Sequence, residues 1–194
     1  NKIYSIISDG YGGLWVASLE YLLHFDIDKR NFTIVDVDED GHKLQQYNRL
    51  LFCDSKKRIW AGGEMGISVF NQVGTSLLPN TDFQIASVLK QAFVNCFYET
   101  SSGYLWIGTR NGLFALKESD KQFLQYTTEN GLPSNVIYGI LEDAYGRLWI
   151  STNQGLSCLN PESGKFRNFT IMDGLQGNQF NAGAYCRKDN GYML

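Results

Sequence analysis

A short tryptophan-centred phrase recurs along this chain at a nearly fixed period. It reads GYLWIGTRNGLFAL at Gly103–Leu116 and GRLWISTNQGLSCL at Gly146–Leu159. Successive copies are 45, 46 and 43 residues apart when they are aligned on their tryptophans, which are Trp15, Trp60, Trp106 and Trp149. Leu194 lies in the tryptophan position of a fifth copy. A repeat of about 40–50 residues is typical of propeller blades or of helical arrays.

The segments around the tryptophans favour strands over helices. Each copy contains four short runs rich in β-branched and aromatic residues, such as NVIYGILED at Asn135–Asp143 and KFRNFT at Lys165–Thr170, and Gly, Asn and Asp separate these runs. This is the composition of strands joined by tight turns. Asn111-Gly112 in particular predicts a two-residue hairpin turn in which both residues have positive φ.

Four strands in each repeat predict an all-β fold made of four-stranded antiparallel β-propeller blades. We interpret residues 1–194 as one partial propeller domain, with repeat units at about 1–45, 46–91, 92–134 and 135–179 and the start of a fifth at 180–194. A seven-bladed propeller needs about 315 residues. We therefore expect four blades and the first strand of a fifth, as part of a larger propeller. The tryptophans are expected to pack between neighbouring blades. The alternative, an antiparallel sandwich, does not explain the fixed period.

Composition and charge exclude several classes of partner. The chain has a net charge of −3 and no basic tract, whereas a nucleic-acid surface needs clustered positive charge. No apolar run is long enough to span a bilayer. We therefore expect no nucleic acid and no direct membrane contact by this chain. The four cysteines form no close pair, so we expect buried thiols, with a disulfide as the alternative.

Catalytic and metal-binding motifs are not found. The two histidines, His24 and His42, belong to no recognisable nucleophile–base or zinc pattern, and His24 is expected to be a packed or exposed strand residue. The acidic run Asp36–Gly41 starts like a calcium loop, but Tyr47 stands where that loop requires Glu. We therefore expect no catalytic residue, no cofactor and no metal. A carboxylate pair for glycoside hydrolysis and a calcium turn unlike the EF-hand remain the alternatives.

The repeat resembles the two-component regulator propeller repeat. The matching pattern, D-x-x-G-x-L-W-I-G-T-x-x-G-L, is best kept at Thr100–Leu113 and Asp143–Leu156. The stretch DGLQGNQFN at Asp173–Asn181 is similar to the segment before the final blade in the sensor propellers of Bacteroidetes hybrid two-component systems. The first and second copies depart from the pattern, with Leu19–Tyr21 lacking the hairpin glycine and Lys57 replacing a glycine.

The resemblance implies a function as well as a fold. It implies a periplasmic ectodomain of an inner-membrane sensor histidine kinase that binds oligosaccharides released from complex polysaccharides and regulates carbohydrate-utilisation genes. It also implies contacts with another propeller and a β-sandwich module, and homodimerisation through the parent protein. This chain lacks the kinase domain and is not expected to be an enzyme. The alternatives are a protein-interaction or dimerisation scaffold and, less favoured, a propeller glycosidase or lyase.

One end of each blade is the candidate ligand surface. Because successive loops of a meander alternate ends, the hairpin between strands two and three lies at the same end as the connection to the next blade. Amides and tyrosine rings suit a sugar's hydroxyls and apolar face, although turns also favour such residues. The candidate binding residues are Tyr21, Glu64, Arg110, Asn111, Asn153 and Gln154 from the hairpins and Tyr47, Gln176, Asn178 and Gln179 from the connections.

Three aspartates recur at one register of the repeat. Asp9, Asp54 and Asp143 each lie six residues before a tryptophan, at the turn after the first strand. Because the same register recurs in different blades, we predict that these carboxylates cap the turn and do not bind ligand.

Overall fold

The computed structural model describes residues 2–18, 20–35, 48–64, 66–80, 89, 91–117 and 122–183. Within these ranges the chain forms sixteen strands in four antiparallel sheets, and in each sheet the strands lie side by side in sequence order. The prediction of an all-β fold with four-stranded blades is therefore confirmed. The chain divides into two compact units, Asn1–Val94 and Asn95–Leu194. The predicted first strand of a fifth blade falls largely on residues 184–194, which lie outside the described ranges.

The first unit contains two blades. Blade 1 consists of β1 (Ile3–Ser8), β2 (Gly13–Ser18), β3 (Leu22–Asp26) and β4 (Asn31–Val35). Blade 2 consists of β5 (Asn48–Cys53), β6 (Arg58–Gly63), β7 (Gly66–Val73) and β8 (Ser76–Pro79).

The second unit repeats this plan. Blade 3 consists of β9 (Val94–Glu99, which begins at the boundary), β10 (Tyr104–Thr109), β11 (Gly112–Lys117) and β12 (Gln122–Tyr126). Blade 4 consists of β13 (Ile137–Glu142), β14 (Leu148–Thr152), β15 (Gly155–Asn160) and β16 (Lys165–Phe169). One 3-10 turn follows each blade, at Thr128–Asn130 and at Ile171–Asp173.

Within each unit the tryptophan-bearing face of one blade packs against the next blade. In the first unit the core comprises Trp15, Ala17 and Leu22 from blade 1 and Leu51, Ile59, Ala61, Phe70 and Leu77 from blade 2. In the second it comprises Cys96, Trp106, Leu113 and Ala115 from blade 3 and Ile137, Ile140, Leu148, Ile150 and Leu159 from blade 4, together with Leu132. The predicted position of Trp15 and Trp106 between blades is therefore confirmed.

The prediction for the β10–β11 hairpin turn is wrong in its geometry. Thr109 pairs with Gly112, so the two loop residues are Arg110 and Asn111. Only Gly112 has a positive φ, of 116°. The Thr109 side chain explains the difference, because its hydroxyl donates to the Gly112 carbonyl at 2.8 Å and accepts from the Asn111 amide at 2.9 Å. This closure places the left-handed residue after the loop, where a Cβ would lie 2.5 Å from the Tyr126 carbonyl.

The described cysteines are free thiols. Cys96 and Cys158 are buried and Cys53 is half-buried, and burial raises the pKa of the Cys96 thiol to about 12. The expectation of buried thiols therefore holds for two of these three. Cys186 lies outside the described residues.

Lys57 occupies a position that the repeat reserves for glycine. Its φ is 63°, and its amide donates to the Asp54 carbonyl at 2.9 Å. The equivalent residue of blade 4, Gly146, has a φ of 73°. A side chain in the left-handed region costs about 1–2 kcal/mol, partly offset by the greater unfolded-state entropy of glycine. Lys57→Gly should therefore raise the free energy of unfolding by about 0.5–1 kcal/mol in urea denaturation. Gly146→Ala is the matched control and should lower it; no gain in Lys57→Gly would contradict the expected strain.

Candidate functional site

In the second unit, the hairpin between the second and third strands of each blade meets the connection that follows that blade. The Gly112 amide donates to the Asn135 carbonyl at 2.8 Å, and the Gly155 amide donates to the Asn178 carbonyl at 2.5 Å. The Asn153 amide also donates to the Val136 carbonyl at 3.2 Å. The shared end that a meander predicts is therefore present in both blades 3 and 4.

We call the exposed part of this end in blade 4 the amide surface; its members are Asn153, Gln154, Gln176, Asn178 and Gln179. Asn153 is its centre and is half-buried, whereas the other four are exposed. The Asn153 side-chain oxygen accepts hydrogen bonds from the Tyr138 hydroxyl at 3.3 Å and from the Gln179 amide at 3.2 Å. The structure therefore brings a hairpin residue and a connection residue of the predicted set into direct contact.

Asn178 also has a structural role that its counterpart Asn135 shares. The Asn178 side-chain oxygen accepts from the Ile171 amide at 2.9 Å, and the Asn135 side-chain oxygen accepts from the Thr128 amide at 2.8 Å. Each asparagine therefore joins the 3-10 turn to the neighbouring hairpin, because its carbonyl binds the hairpin glycine as well. This role was not predicted from the sequence, although the spacing between Asn135 and Asn178 matches the repeat.

The blade 3 hairpin presents Arg110 and Asn111 to solvent. The Asn111 carbonyl accepts from the Gln125 side-chain amide at 3.0 Å, which ties the hairpin to β12. This surface therefore combines a guanidinium with an amide at the same end of the blade as the corresponding residues of blade 4.

The candidate residues of the first unit are more engaged in the fold. Glu64 forms an ion pair with Arg49, whose guanidinium also lies 5.1 Å from the centre of the Tyr4 ring. Tyr21 is 37% exposed, and its backbone exchanges hydrogen bonds with Ser18. Tyr47, and with it the acidic run Asp36–Gly41, lies outside the described residues.

The recurrent aspartates cap their turns, as predicted. In blade 2, one oxygen of Asp54 accepts from the amides of Lys56 at 3.0 Å and Arg58 at 2.8 Å. The other oxygen accepts from the Arg58 guanidinium at 2.6 Å and from the Trp60 indole at 2.8 Å. This second pair of donors was not predicted from the sequence. Its signal was present in the fixed spacings from the aspartate to the arginine and the tryptophan.

Blade 4 repeats this arrangement around Asp143. The carboxylate accepts from the amides of Tyr145 at 2.9 Å and Arg147 at 3.0 Å, from the Arg147 guanidinium at 2.7 Å and from the Trp149 indole at 2.9 Å. Burial raises the pKa of Asp143, but these hydrogen bonds from Trp149, Arg147 and Tyr145 outweigh it and hold the pKa below its usual value. The carboxylate is therefore ionised at neutral pH and serves as a structural anion.

Blade 1 builds the same turn with a histidine in place of the arginine. His24 is buried, and its Nε2 lies 2.7 Å from the Asp9 carboxylate, which also accepts from the amides of Tyr11 and Gly13 at 2.7 Å each. Burial raises the pKa of Asp9, but the hydrogen bonds from His24 and the two amides lower it by more. The pKa therefore lies below its usual value. His24 is therefore a packed strand residue with a polar partner.

The described residues offer little for chemistry on a metal. They contain no group of three His, Cys, Asp or Glu side chains that could hold a metal ion. Nor does any helix in the described part of the chain have the length and hydropathy needed to cross a membrane.

Comparison with known proteins supports the predicted repeat. The two-component regulator propeller family matches residues 89–111 and 131–154, which overlap both stretches that carry the sequence resemblance. The resemblance to two-component regulator propeller repeats is therefore confirmed. No curated protein matches the chain.

Several solved structures share the fold. The extracellular domain of the putative hybrid two component system BT3049 from B. thetaiotaomicron is 22% identical with a TM-score of 0.81, covering 99% of this chain and 26% of that one. That of BT4673 from the same organism is 18% identical with a TM-score of 0.77, covering 100% and 25%. Virginiamycin B lyase from Staphylococcus aureus is 18% identical with a TM-score of 0.65, covering 98% and 61%. The chain thus spans about a quarter of the first two domains.

Proposed function

We propose that this chain is part of the extracytoplasmic sensor of a hybrid two-component signalling protein, and that it recognises oligosaccharides from complex polysaccharides without performing chemistry on them. The observation that carries this proposal is the match to two-component regulator propeller repeats at 89–111 and 131–154, together with the likeness of nearly the whole chain to two extracellular domains of putative hybrid systems. The likeness to a lyase is one of fold, and fold alone does not carry an activity.

The periplasm of a Bacteroidetes cell is the compartment that this function requires. The parent protein would contain an inner-membrane histidine kinase, a further propeller and a β-sandwich module, and it would dimerise. Ligand binding would favour one arrangement of the paired ectodomains, because a ligand shifts an equilibrium only by its differential affinity for the two states. The membrane helices would report that arrangement to the kinase, which would regulate carbohydrate-utilisation genes.

The amide surface and the blade 3 hairpin are the proposed recognition residues. Their side chains supply amide donors and acceptors and one guanidinium, which match the hydroxyls of a sugar. Asn153 is held in place by Tyr138 and Gln179, so the surface is partly preorganised and loses less side-chain entropy when a ligand binds. Tyr21, Tyr47 and Glu64 are the proposed contacts from the first unit.

A thermal-shift screen against plant and host oligosaccharides tests this proposal. A ligand at 100 times its Kd should stabilise the chain by about 2.7 kcal/mol, and the hits should weaken in Arg110→Ala and Asn153→Ala. Lys165→Ala is the control and should keep full affinity. Lys165 is exposed and lies in β16, at the opposite end of blade 4 from the hairpin turn. If the hits bind Asn153→Ala and Arg110→Ala as tightly as the parent chain, neither the amide surface nor the blade 3 hairpin is the site. If the whole ectodomain binds no oligosaccharide, the scaffold function takes precedence, and steady release of product would instead identify an enzyme.

A further inference from the structure

A polar groove opens between the outer strands of the two blades in the first unit. It has a volume of about 400 Å³, and it is bounded by β3 and β4 on one side and by β8 with the turn before it on the other. Ligand sites for small molecules commonly fall in the range of about 300–1,000 Å³. The polar side chains that line it are His24, Asp26, Lys29, Asn31, Thr33, Thr75 and Ser76.

The repeat is broken at this groove in two linked positions. His24 pairs across the sheet with Trp15, whereas the residues opposite the other three tryptophans are Val69, Ala115 and Cys158. Gly13 stands where blades 2 and 4 carry the arginine that binds the aspartate. A Cβ on Gly13 would lie 2.7 Å from His24 Nε2 and 2.5 Å from an Asp9 oxygen, so the glycine makes the room that the histidine occupies.

This exchange leaves the tryptophan of blade 1 without its acceptor. Asp9 bonds to His24, and the Trp15 indole nitrogen is buried with no partner among the described residues, whereas the indoles of Trp60 and Trp149 both reach their aspartates. The Trp106 indole is also buried without a partner among the described residues, but blade 3 carries Thr100 in place of the aspartate. A buried donor without an acceptor costs about 1–3 kcal/mol. A local rule that is broken at a cost to stability is expected where a site has a function. His24 is the deepest polar residue of the groove, at 6% exposure.

The charges of the groove favour a neutral ligand. The Lys29 ammonium lies 2.9 Å from the Asp26 carboxylate, so the two charges neutralise each other. The pair therefore favours neither an anionic nor a cationic ligand. The hydroxyls of Thr33 and Ser76 and the amide of Asn31 both donate and accept hydrogen bonds. Val35 and Leu77 add apolar surface to the same groove, which suits the C–H face of a pyranose or furanose ring.

We propose that this groove binds a neutral mono- or disaccharide, with the His24 ring forming a hydrogen bond with a sugar hydroxyl. The Nε2 atom of His24 is bonded to Asp9 at 2.7 Å, so the hydrogen bond to the sugar is assigned to Nδ1. The proposal rests on the proposed sensor function and adds to it a second recognition site, on the first unit, whereas the amide surface belongs to the second. It assigns a role to the Asp9–His24 pair of blade 1. The other blades lack this histidine.

The test measures sugar binding to the full 194-residue chain by NMR. The probes are glucose, galactose, mannose, arabinose, xylose and cellobiose, with galacturonate as the anionic comparison. A bound neutral sugar should shift the ring resonances of His24, and Asn31→Ala and Ser76→Ala should each weaken its binding by about fivefold to tenfold. Both substitutions remove exposed side chains, so the blades should stay folded. Lys165→Ala, an exposed substitution in β16, should leave this binding unchanged.

Three results would overturn the proposal. The first is binding that Asn153→Ala abolishes and Ser76→Ala leaves intact, which would place the sugar on the amide surface and leave the sensor function standing. The second is tighter binding of galacturonate than of any neutral sugar. The third is the absence of any His24 shift at saturating concentrations of all six neutral sugars, while the whole ectodomain still binds an oligosaccharide.

Discussion

Asp54→Ala is expected to lower the free energy of unfolding by about 3–5 kcal/mol. The Asp54 side chain is 1% exposed and holds four donors, two of them the Arg58 guanidinium and the Trp60 indole. Without the carboxylate the guanidinium loses its anion in a site where its side chain is only 13% exposed. The loss exceeds that of a single hydrogen bond, because the turn, the cation and the tryptophan all depend on the same two oxygens. Urea denaturation followed by circular dichroism measures it.

The matched control for this variant is Asp26→Ala. Asp26 also pairs with a cation, at 2.9 Å, but the Lys29 side chain is 74% exposed, so solvent screens the pair. Exposed pairs contribute about 0–1 kcal/mol. Equal losses in the two variants would show that burial of the carboxylate does not set its contribution.

Acid should remove the contribution of the equivalent aspartates of blades 1 and 4 in the parent chain. The folded pKa values of Asp9 and Asp143 lie below their ordinary value of 3.8, so the stability that they contribute is present above that value and is lost as the pH falls through the folded pKa. The free energy of unfolding should therefore decline between about pH 5 and pH 3, and it should decline less steeply in Asp143→Asn, which cannot titrate at that position. An identical slope in the variant would contradict this assignment.

Trp106→Ala is expected to cost about 3–5 kcal/mol, and Trp149→Ala about 1–2 kcal/mol. The two residues occupy the same register of their blades. Trp106 is 2% exposed and packs in the core between blades 3 and 4, with its ring stacked 5.8 Å from that of Tyr126. Trp149 is half-buried, and its main ring contact is Phe169 of its own blade at 5.5 Å. Removal of Trp106 therefore leaves a cavity, whereas solvent already reaches the site of Trp149.

Circular dichroism in urea is the measurement for this pair, because a tryptophan substitution changes the fluorescence signal itself. Trp106→Phe is the conservative control and should recover more than half of the loss, since a phenyl ring fills much of the cavity. If Trp149→Ala lowers the free energy of unfolding as much as Trp106→Ala does, packing between blades does not decide the contribution of the repeated tryptophan.

The repeat period and the strand composition were sufficient to predict the blades. Because each blade is built from local antiparallel hairpins, its pairing partners lie within about 20 residues along the chain, and the same local pattern recurs four times. The capping role of Asp9, Asp54 and Asp143 was also readable, because one residue type at one register of several blades indicates a common turn.

The turn geometry and the candidate site were less accessible. The β10–β11 hairpin was predicted from Asn111-Gly112, but the hydroxyl of Thr109, outside that dipeptide, selected another turn. The amide surface was predicted as a set of residues, yet the contact between Asn153 and Gln179 depends on the path of the connection through Asn178. No sequence rule for turns contains that path.

The sequence by itself therefore determined the all-β repeat, the number of strands in each blade and the positions of the recurrent aspartates, because these depend on local propensity and on a period that packing repeats. Only the tertiary structure decided what each aspartate binds and which repeat positions form a groove. Arg58 and Arg147 reach their aspartates from the start of the second strand or the residue before it, whereas His24 reaches Asp9 from the third strand and needs Gly13 to leave it space. The exchange couples Gly13 and His24 on neighbouring strands, because a side chain at position 13 would occupy the volume that the His24 ring fills.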